Sequence, residues 1–531
     1  MAKQRIDNFL GGTVKSIPGG DMSSYTQNMY FESVSDGSTT KNVLRGIEGM
    51  RLKLAITGQP RGAFVASKGY DGNPRLFVVF GHMLYAVDRT GQGYTVRPCG
   101  SVGTSTEPVS MCETGGDSPR LCVANGTSVF VCTTTDVEPS DSFKSVLLPK
   151  DRGGEEYIRP SFVTYQYGYL TINDRESDYL YRSYQFPFEY VEDGRVAEDV
   201  FTRDPMNGDE SEQGFYIPAD WCPDNITAMV STNAKLFTFG PKSMQVFNYT
   251  NDANMPFNSP DTSALSIGVL APKSAACIGA EVFWLGSSSV GQFGIYRAQG
   301  TDPTRISNPA IEREIAEMAT PQDAVGFCWT ESSHVFYAIT FVGDRRTFVY
   351  DTATGQWHNR VSTDPQTGAN NGWRYGWPFL FEGSLCFLCV GGVVEVARPV
   401  YGVSNGIRTT TVAPSWTEHD GNPIIRKRRG AAIVDGFTPF CIDNVQFQLS
   451  HGFAPSSVQS PKVMFRASRD GVTFPIEREG RMGGPGAYGF VTQFPRLGIG
   501  SSFVLELSCS EDCPFDISGC IINWTPVGRG F

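Results

Sequence analysis

The chain has 531 residues, enough for more than one domain if each takes roughly 100–200 residues. With 40% hydrophobic and 19% charged residues it can bury a large core, and its 58 glycines, 33 prolines and 12% aromatics suit many short strands joined by turns, excluding a helix bundle, a coiled coil or a doubly wound α/β enzyme. A net charge of −11 excludes a strong non-specific duplex binder, because that affinity comes from Lys and Arg on phosphates, and the absence of any apolar run of about 18 residues excludes a helical membrane span.

Residues 1–48 lack alternation and are rich in Gly, Ser and Asn, which predicts an extended N-terminal arm. No apolar segment follows Lys3 and Arg5, so a secretory signal is not expected. The Asn-X-Ser/Thr sites at Asn125, Asn225, Asn248 and Asn523 are then chance matches, and the thirteen scattered cysteines are reduced, buried hydrophobes.

From residue 49 the apolar runs come as strand–turn–strand units. Residues 76–80 turn at Gly81-His82 into 83–87, and residues 121–124 turn at Asn125-Gly126, a strong hairpin signal, into 128–132. Similar units follow around Tyr169, Leu236, Phe283, Phe336 and Phe387. Taken with Leu84 and Val129, these central-strand landmarks are separated by 45, 40, 67, 47, 53 and 51 residues. A period of roughly 40–50 residues with three or four strands per unit predicts an all-β chain with a β-propeller of about seven blades, over residues 49–425. A tandem of β-sandwiches is the competing all-β reading. The long interval holds an insertion, residues 174–212, with twelve acids against four arginines. It reads as a solvated loop or an acidic docking surface.

Ser307-Asn308 can cap a helix that starts at Pro309, with Ile311, Ile315 and Met318 on one face. Cys386 and Cys389 form a C-x-x-C, but in a run that reads as a buried strand, where positions three apart face opposite ways. Arg426, Lys427, Arg428 and Arg429 form the densest basic run in the chain. They are predicted to sit at a junction between lobes or subunits and to contact a protein partner, with a phosphate contact as the alternative. Residues 426–531 carry their own strands and predict a C-terminal β-sandwich-like lobe. Cys509 and Cys513 flank a turn in it, with no indication of a disulfide.

Chemistry is sparse. The five histidines show no zinc spacing, no Gly-x-Ser-x-Gly elbow appears, and no phosphate-binding loop ends in Gly-Lys-Ser/Thr. No catalytic, metal or cofactor residue is assigned, and the chain is not expected to be an enzyme. Residues 468–474 (Ser-Arg-Asp-Gly-Val-Thr-Phe) resemble the Asp-box hairpin of sialidases, a structural element in which Asp and Ser pin a turn over an aromatic.

The order of several weak motifs carries a resemblance. Gln27-Asn28-Met29-Tyr30-Phe31-Glu32 is similar to the Asn-Leu-Tyr-Pro-Glu signature of the packaged-DNA stabilisation, or tail nozzle, proteins of short-tailed bacteriophages. Leu44-Arg45-Gly46-Ile47-Glu48-Gly49-Met50 resembles that family's Pro-Gly-Leu stretch, with Glu48 where proline is usual, and Arg61-Gly62 resembles its step into the first blade. Pro223-Asp224-Asn225-Ile226 with Phe239-Gly240, Arg305-Ile306-Ser307-Asn308 with Ile311-Glu312, Tyr350-Asp351 with Trp357, and Arg496-Leu497-Gly498 resemble further segments in the same order. The resemblance implies a homohexameric ring in the virion tail, made in the host bacterial cytoplasm and attached below the portal and its head-to-tail adaptor. Such a ring extends the DNA channel, passes double-stranded DNA without sequence-specific binding, and anchors tailspikes or fibres and a needle or plug. The alternative is a glycan-binding or glycan-cleaving propeller of a receptor-binding protein.

Overall fold

The structure is a computed structural model that describes residues 2–14, 24–35, 40–91, 93–151, 153–185, 200–202, 211–212, 214–219, 221, 224–232, 234–252, 255–260, 264–288, 293–404, 407–436 and 438–527. Its regular structure is almost entirely antiparallel strand. Seven radial sheets follow one another around an axis.

Blade 1 consists of Pro60–Ala66, Arg75–Phe80, Met83–Thr90 and Gly93–Ser101. Blade 2 begins at Ser110–Glu113, blade 3 at Val163–Gln166, blade 4 at Ala228–Ser231, blade 5 at Ile267–Val269 with Ala276–Ile278, and blade 6 at Val325–Glu331. Blade 7 takes its three inner strands from Gly376–Phe381, Ser384–Cys389 and Gly391–Val396. Its outer strand is Met50–Ile56, from the other end of the propeller sequence. The ring is therefore closed by a strand ladder rather than by side-chain packing alone.

The landmarks fall one per blade, in the third strand of blades 1 and 2 and in the second strand of the others. A single sheet cannot bury both of its faces, so the core is divided among the seams. Phe77 and Val79 meet Leu121 and Val123 between blades 1 and 2, Phe283 and Ile295 meet Tyr337 and Ile339 between blades 5 and 6, and Val78 meets Leu388 between blades 1 and 7. Cys386 packs in the seam with blade 1 and Cys389 in the seam with blade 6, on opposite faces of one strand.

The predicted turn chemistry holds in detail. Asn125 Oδ1 accepts from the amides of Thr127 and Ser128, and its Nδ2 donates to the Val102 carbonyl of blade 1. The helix spans Pro309–Ala316, with Asn308 Oδ1 accepting from the Ala310 and Ile311 amides and Ile311 and Ile315 buried. The acidic insertion leaves blade 3 between Tyr179–Arg182 and Phe215–Pro218; residues 186–199 and 203–210 lie outside the described residues.

The C-terminal lobe is two packed sheets. One holds Phe440–Leu449, Thr492–Gly500 and Ile517–Pro526; the other holds Arg426–Arg429, Lys462–Ser468, Arg478–Arg481 and Ser502–Cys509. Phe447, Phe465, Phe494, Phe503 and Leu507 fill the space between them. The expected arm is not a free extension. Ala2–Arg5 pairs with Ile517–Pro526, the hairpin of Met29–Ser35 and Thr40–Gly46 joins the same sheet, and Phe9 packs on Phe447 at 5.4 Å. Its apolar residues show no periodicity that would reveal them, yet Ile6, Phe9, Met29 and Leu44 fill gaps in a core built by the other end of the chain.

Candidate functional site

The two lobes share one ten-stranded sheet. The last strand of blade 6, Gln356–Asn359, runs parallel to Tyr25–Gln27, which is antiparallel to Arg426–Arg429, which pairs with Ser502–Cys509. Immediately after this bridging strand comes Asn28, fully buried and left-handed at φ +53°. Asn is one of the few L-residues that tolerates this backbone. Its amide donates to the Asn359 carbonyl at 2.8 Å, its Nδ2 donates to the carbonyls of Val361 (2.9 Å) and Ile425 (3.0 Å), and its Oδ1 accepts from the Val361 amide at 2.9 Å. The next two side chains then part: Met29 enters the lobe core and Tyr30 enters the propeller core. The Gln27–Tyr30 motif is thus a staple between lobes.

Around Tyr30 the propeller supplies a buried polar cluster. His334 and Phe336 meet its ring at 5.1 and 5.5 Å. Trp329 Nε1 donates to Glu331, Arg360 lies against Trp329 and Trp373, and Arg398 joins Glu331 (3.3 Å) to Glu48 (2.7 Å). Glu48 therefore anchors the N-terminal segment by an ion pair. Burial, then the neighbouring Arg360, pushes the His358 imidazole well below its ordinary range, so it is neutral at pH 7.

The basic run Arg426–Arg429 lies at this junction, with alternate members facing inward. Arg426 and Arg428 are buried. Arg426 donates to the carbonyls of Cys513 (2.5 Å) and Glu511, and Arg428 to those of Phe9 (2.6 Å) and Gly12 (3.0 Å) and to Thr26 Oγ1 (2.7 Å). Burial pushes the Arg428 guanidinium down to about 9. Lys427 and Arg429 point to the other face, where Glu506 holds them at 3.8 and 2.7 Å together with Arg466 at 2.6 Å. Burial works to raise the Glu506 carboxyl, but these three cations outweigh it and hold it below the usual range. The expected partner contact is corrected for Arg426 and Arg428, which bind this chain's own carbonyls, because alternation in a strand sends every second side chain into the interior.

The remaining motifs are also architectural. Asp224 Oδ2 accepts from the amides of Lys242 and Ser243 and so pins the turn after Phe239-Gly240. Arg305 and Ser307 hold Glu312 at the start of the helix. Asp351 binds His334 at 2.8 Å and Thr354 at 2.7 Å, while Trp357 packs on Tyr350 at 5.1 Å. Asp470 accepts from Ser468 and from the amides of Val472 and Thr473, and Phe474 lies beneath Arg429 and Arg466.

At the propeller axis the inner strands leave a cavity of about 300 Å³ lined by Met111, Thr164, Met229, Lys273 and Trp377 among others. That is the volume of a small-ligand site. Lys273 donates to the Ser161 carbonyl at 3.1 Å and stands over Phe162 at 4.2 Å. Burial lowers its ammonium to about 8, with Glu107 opposing and Arg175 and Arg61 adding to the effect. Since the unfolded chain keeps its proton up to about 10.5, unfolding is favoured at low pH, and stability rises as pH climbs from about 8 to about 10.5. Urea titrations of wild type and Lys273→Met across this window are expected to show a difference of about 3 kcal/mol that favours the variant at pH 7.5 and fades by pH 10.5.

A family model described as "Bacteriophage P22 Gp10, beta-propeller" matches residues 9–385. The chain belongs to this family. Gp10-family membership accounts for the propeller and for the ordered motifs up to Trp357, and makes the protein a bacteriophage structural component. No curated protein matches it. Among solved structures, a functionally unknown protein from Desulfotomaculum acetoxidans is 11% identical, with 64% of this chain and 97% of that chain covered at a TM-score of 0.36. A family 43 arabinoxylan arabinofuranohydrolase from Bacillus subtilis is 10% identical, with 90% and 97% covered at a TM-score of 0.23. Sequence reasoning placed the Gp10-family signature at residues 27–32 but missed Asn28 as its keystone; an Asn after three strand residues is the one local cue.

Proposed function

We propose that this chain is a structural tail component of a short-tailed phage: a ring of copies below the portal and adaptor that extends the DNA channel, helps retain packaged DNA and anchors fibres, spikes or a plug, without catalysing a reaction. The observation that carries the reading is the use of the Gp10-family motifs as fasteners. Gln27–Tyr30, Asp224, Glu312 and Asp351 all hold backbone segments or lobes together. A body stitched through one continuous sheet suits a part that bears load without bending. The inward turn of Arg426 and Arg428 supports passage of DNA, since neutralised phosphates add counterion-release affinity and hence drag.

Negative-stain microscopy of virions and of the concentrated protein tests this. A closed ring at the tail, labelled by an antibody against this chain, is the expected result. Label confined to fibre tips, or turnover of glycans by the purified protein, would overturn it.

A further inference from the structure

In a chain that is acidic overall, one cleft on the C-terminal lobe is strongly basic. It has a volume of about 530 Å³ and is lined by Arg466, Arg469, Arg478 and Arg496 over an apolar floor that includes Phe465 and Leu497. Two of these guanidiniums are engaged: Arg466 with Glu506, and Arg478 with the Pro495 carbonyl at 2.9 Å. Arg469 and Arg496 have no hydrogen-bond or ion-pair partner among the described residues, and both are exposed. Asp470 also lines the cleft, but its Oδ1 is committed to the Val472 and Thr473 amides. Arg496 is held left-handed at φ +60°, a conformation that costs a non-glycine residue energy. Ile476, which lines the cleft, is 92% exposed, so the cleft offers apolar contact beside its charge.

Unpaired guanidiniums next to exposed aliphatic side chains fit carboxylates flanked by aromatic or aliphatic residues better than they fit a phosphodiester backbone, which brings no apolar partner. This chain carries such a sequence: Phe186-Pro187-Phe188-Glu189-Tyr190-Val191-Glu192-Asp193, followed by Glu198-Asp199. It leaves blade 3, whereas the lobe is joined to blade 6. In a ring of seven, these two positions are as far apart as any pair, which separates the point where the stretch leaves its blade from the chain's own cleft.

We propose that the cleft at Arg469, Arg478 and Arg496 binds the acidic stretch 186–199 of a second copy of this chain. The proposal rests on the ring reading above and gives it a specific contact. Because donor and acceptor surfaces differ, the contact is heterologous, the type that builds rings or filaments.

The probe is a synthetic peptide of residues 186–199, titrated by fluorescence anisotropy against the full chain. Binding that weakens with salt, and by roughly tenfold in the Arg469→Gln/Arg496→Gly double variant, is the expected result. Arg496→Gly relieves the backbone strain, so the variant keeps its fold, which circular dichroism checks. The same variant is expected to self-associate less in sedimentation velocity. No peptide binding by the folded wild-type chain, or binding unchanged in the double variant, overturns the proposal. So does tighter binding of a short DNA duplex at the same arginines. Normal tail rings on virions carrying the double variant would sink this contact and leave the ring reading standing.

Discussion

Replacing Gly392 by alanine is expected to cost about 4 kcal/mol and to open the propeller at its closure. Gly392 has φ +143° and sits opposite Ala55 in the ladder that joins Gly391–Val396 to Met50–Ile56. A Cβ there would be driven into the Leu54 carbonyl oxygen and against the Ala55 Cα, both backbone atoms that cannot move without breaking the ladder. Gly391 provides the control. Its φ is +113°, but nothing lies within 4 Å of a Cβ, so Gly391→Ala is expected to cost only the backbone term of about 1–2 kcal/mol. Urea unfolding of the two variants, followed by tryptophan fluorescence, checks the difference. The gap between neighbours measures how much of the fold depends on the seam between Met50–Ile56 and the rest of blade 7. Lys53 and Arg51 add largely buried ion pairs to Glu395 across it, at 3.0 and 3.3 Å.

Arg428→Ala is expected to destabilise the chain by about 3–5 kcal/mol and to release the first N-terminal strand and turn from the lobe. The guanidinium is buried without a carboxylate partner among the described residues and is satisfied by three carbonyls and a hydroxyl, from residues 8, 9, 12 and 26. Its removal takes the guanidinium donor from the Phe9 carbonyl, while Gly12 keeps the Ser24 hydroxyl at 2.9 Å, and opens a cavity beside Phe9, whose ring centroid lies 5.9 Å from the guanidinium. Arg428→Lys is expected to recover less than half of the loss, because one ammonium cannot span the positions that the planar fork reaches. Hydrogen exchange is the measurement that locates the effect. The Thr26 amide, which donates to Thr13 Oγ1 at 3.0 Å, should lose protection early, while the Phe77 and Val79 amides of blade 1 should not. Uniform loss across both lobes would show that the staple carries the whole fold.

Most of the propeller was legible because its signals are local. Asn125-Gly126 and Gly81 mark their turns, alternation marks the strands, and the spacing of one apolar landmark per unit gives the blade count. The helix at Pro309–Ala316 follows the same rule, since its cap at Asn308 is one residue away. Cys386 and Cys389 could be assigned to opposite faces from strand geometry alone. The basic run shows where this reasoning stops. Four adjacent charges at residues 426–429 look like a surface, since charge is costly to bury. Alternation in a central strand overrode that preference once the carbonyls of residues 9, 12, 511 and 513 were in place to receive the guanidiniums.

By itself, then, the sequence determined the all-β class, the seven repeated units, their hairpins and the capped helix, because each depends on residues a few positions apart. Only the tertiary structure decided that Met50–Ile56 closes blade 7, that Asn28 staples two lobes, that the supposed arm completes the C-terminal core, and that Arg469 and Arg496 share an open cleft. Those arrangements join residues tens to hundreds of positions apart. Their energy comes from burying polar groups against acceptors that no local pattern reveals until the chain has folded.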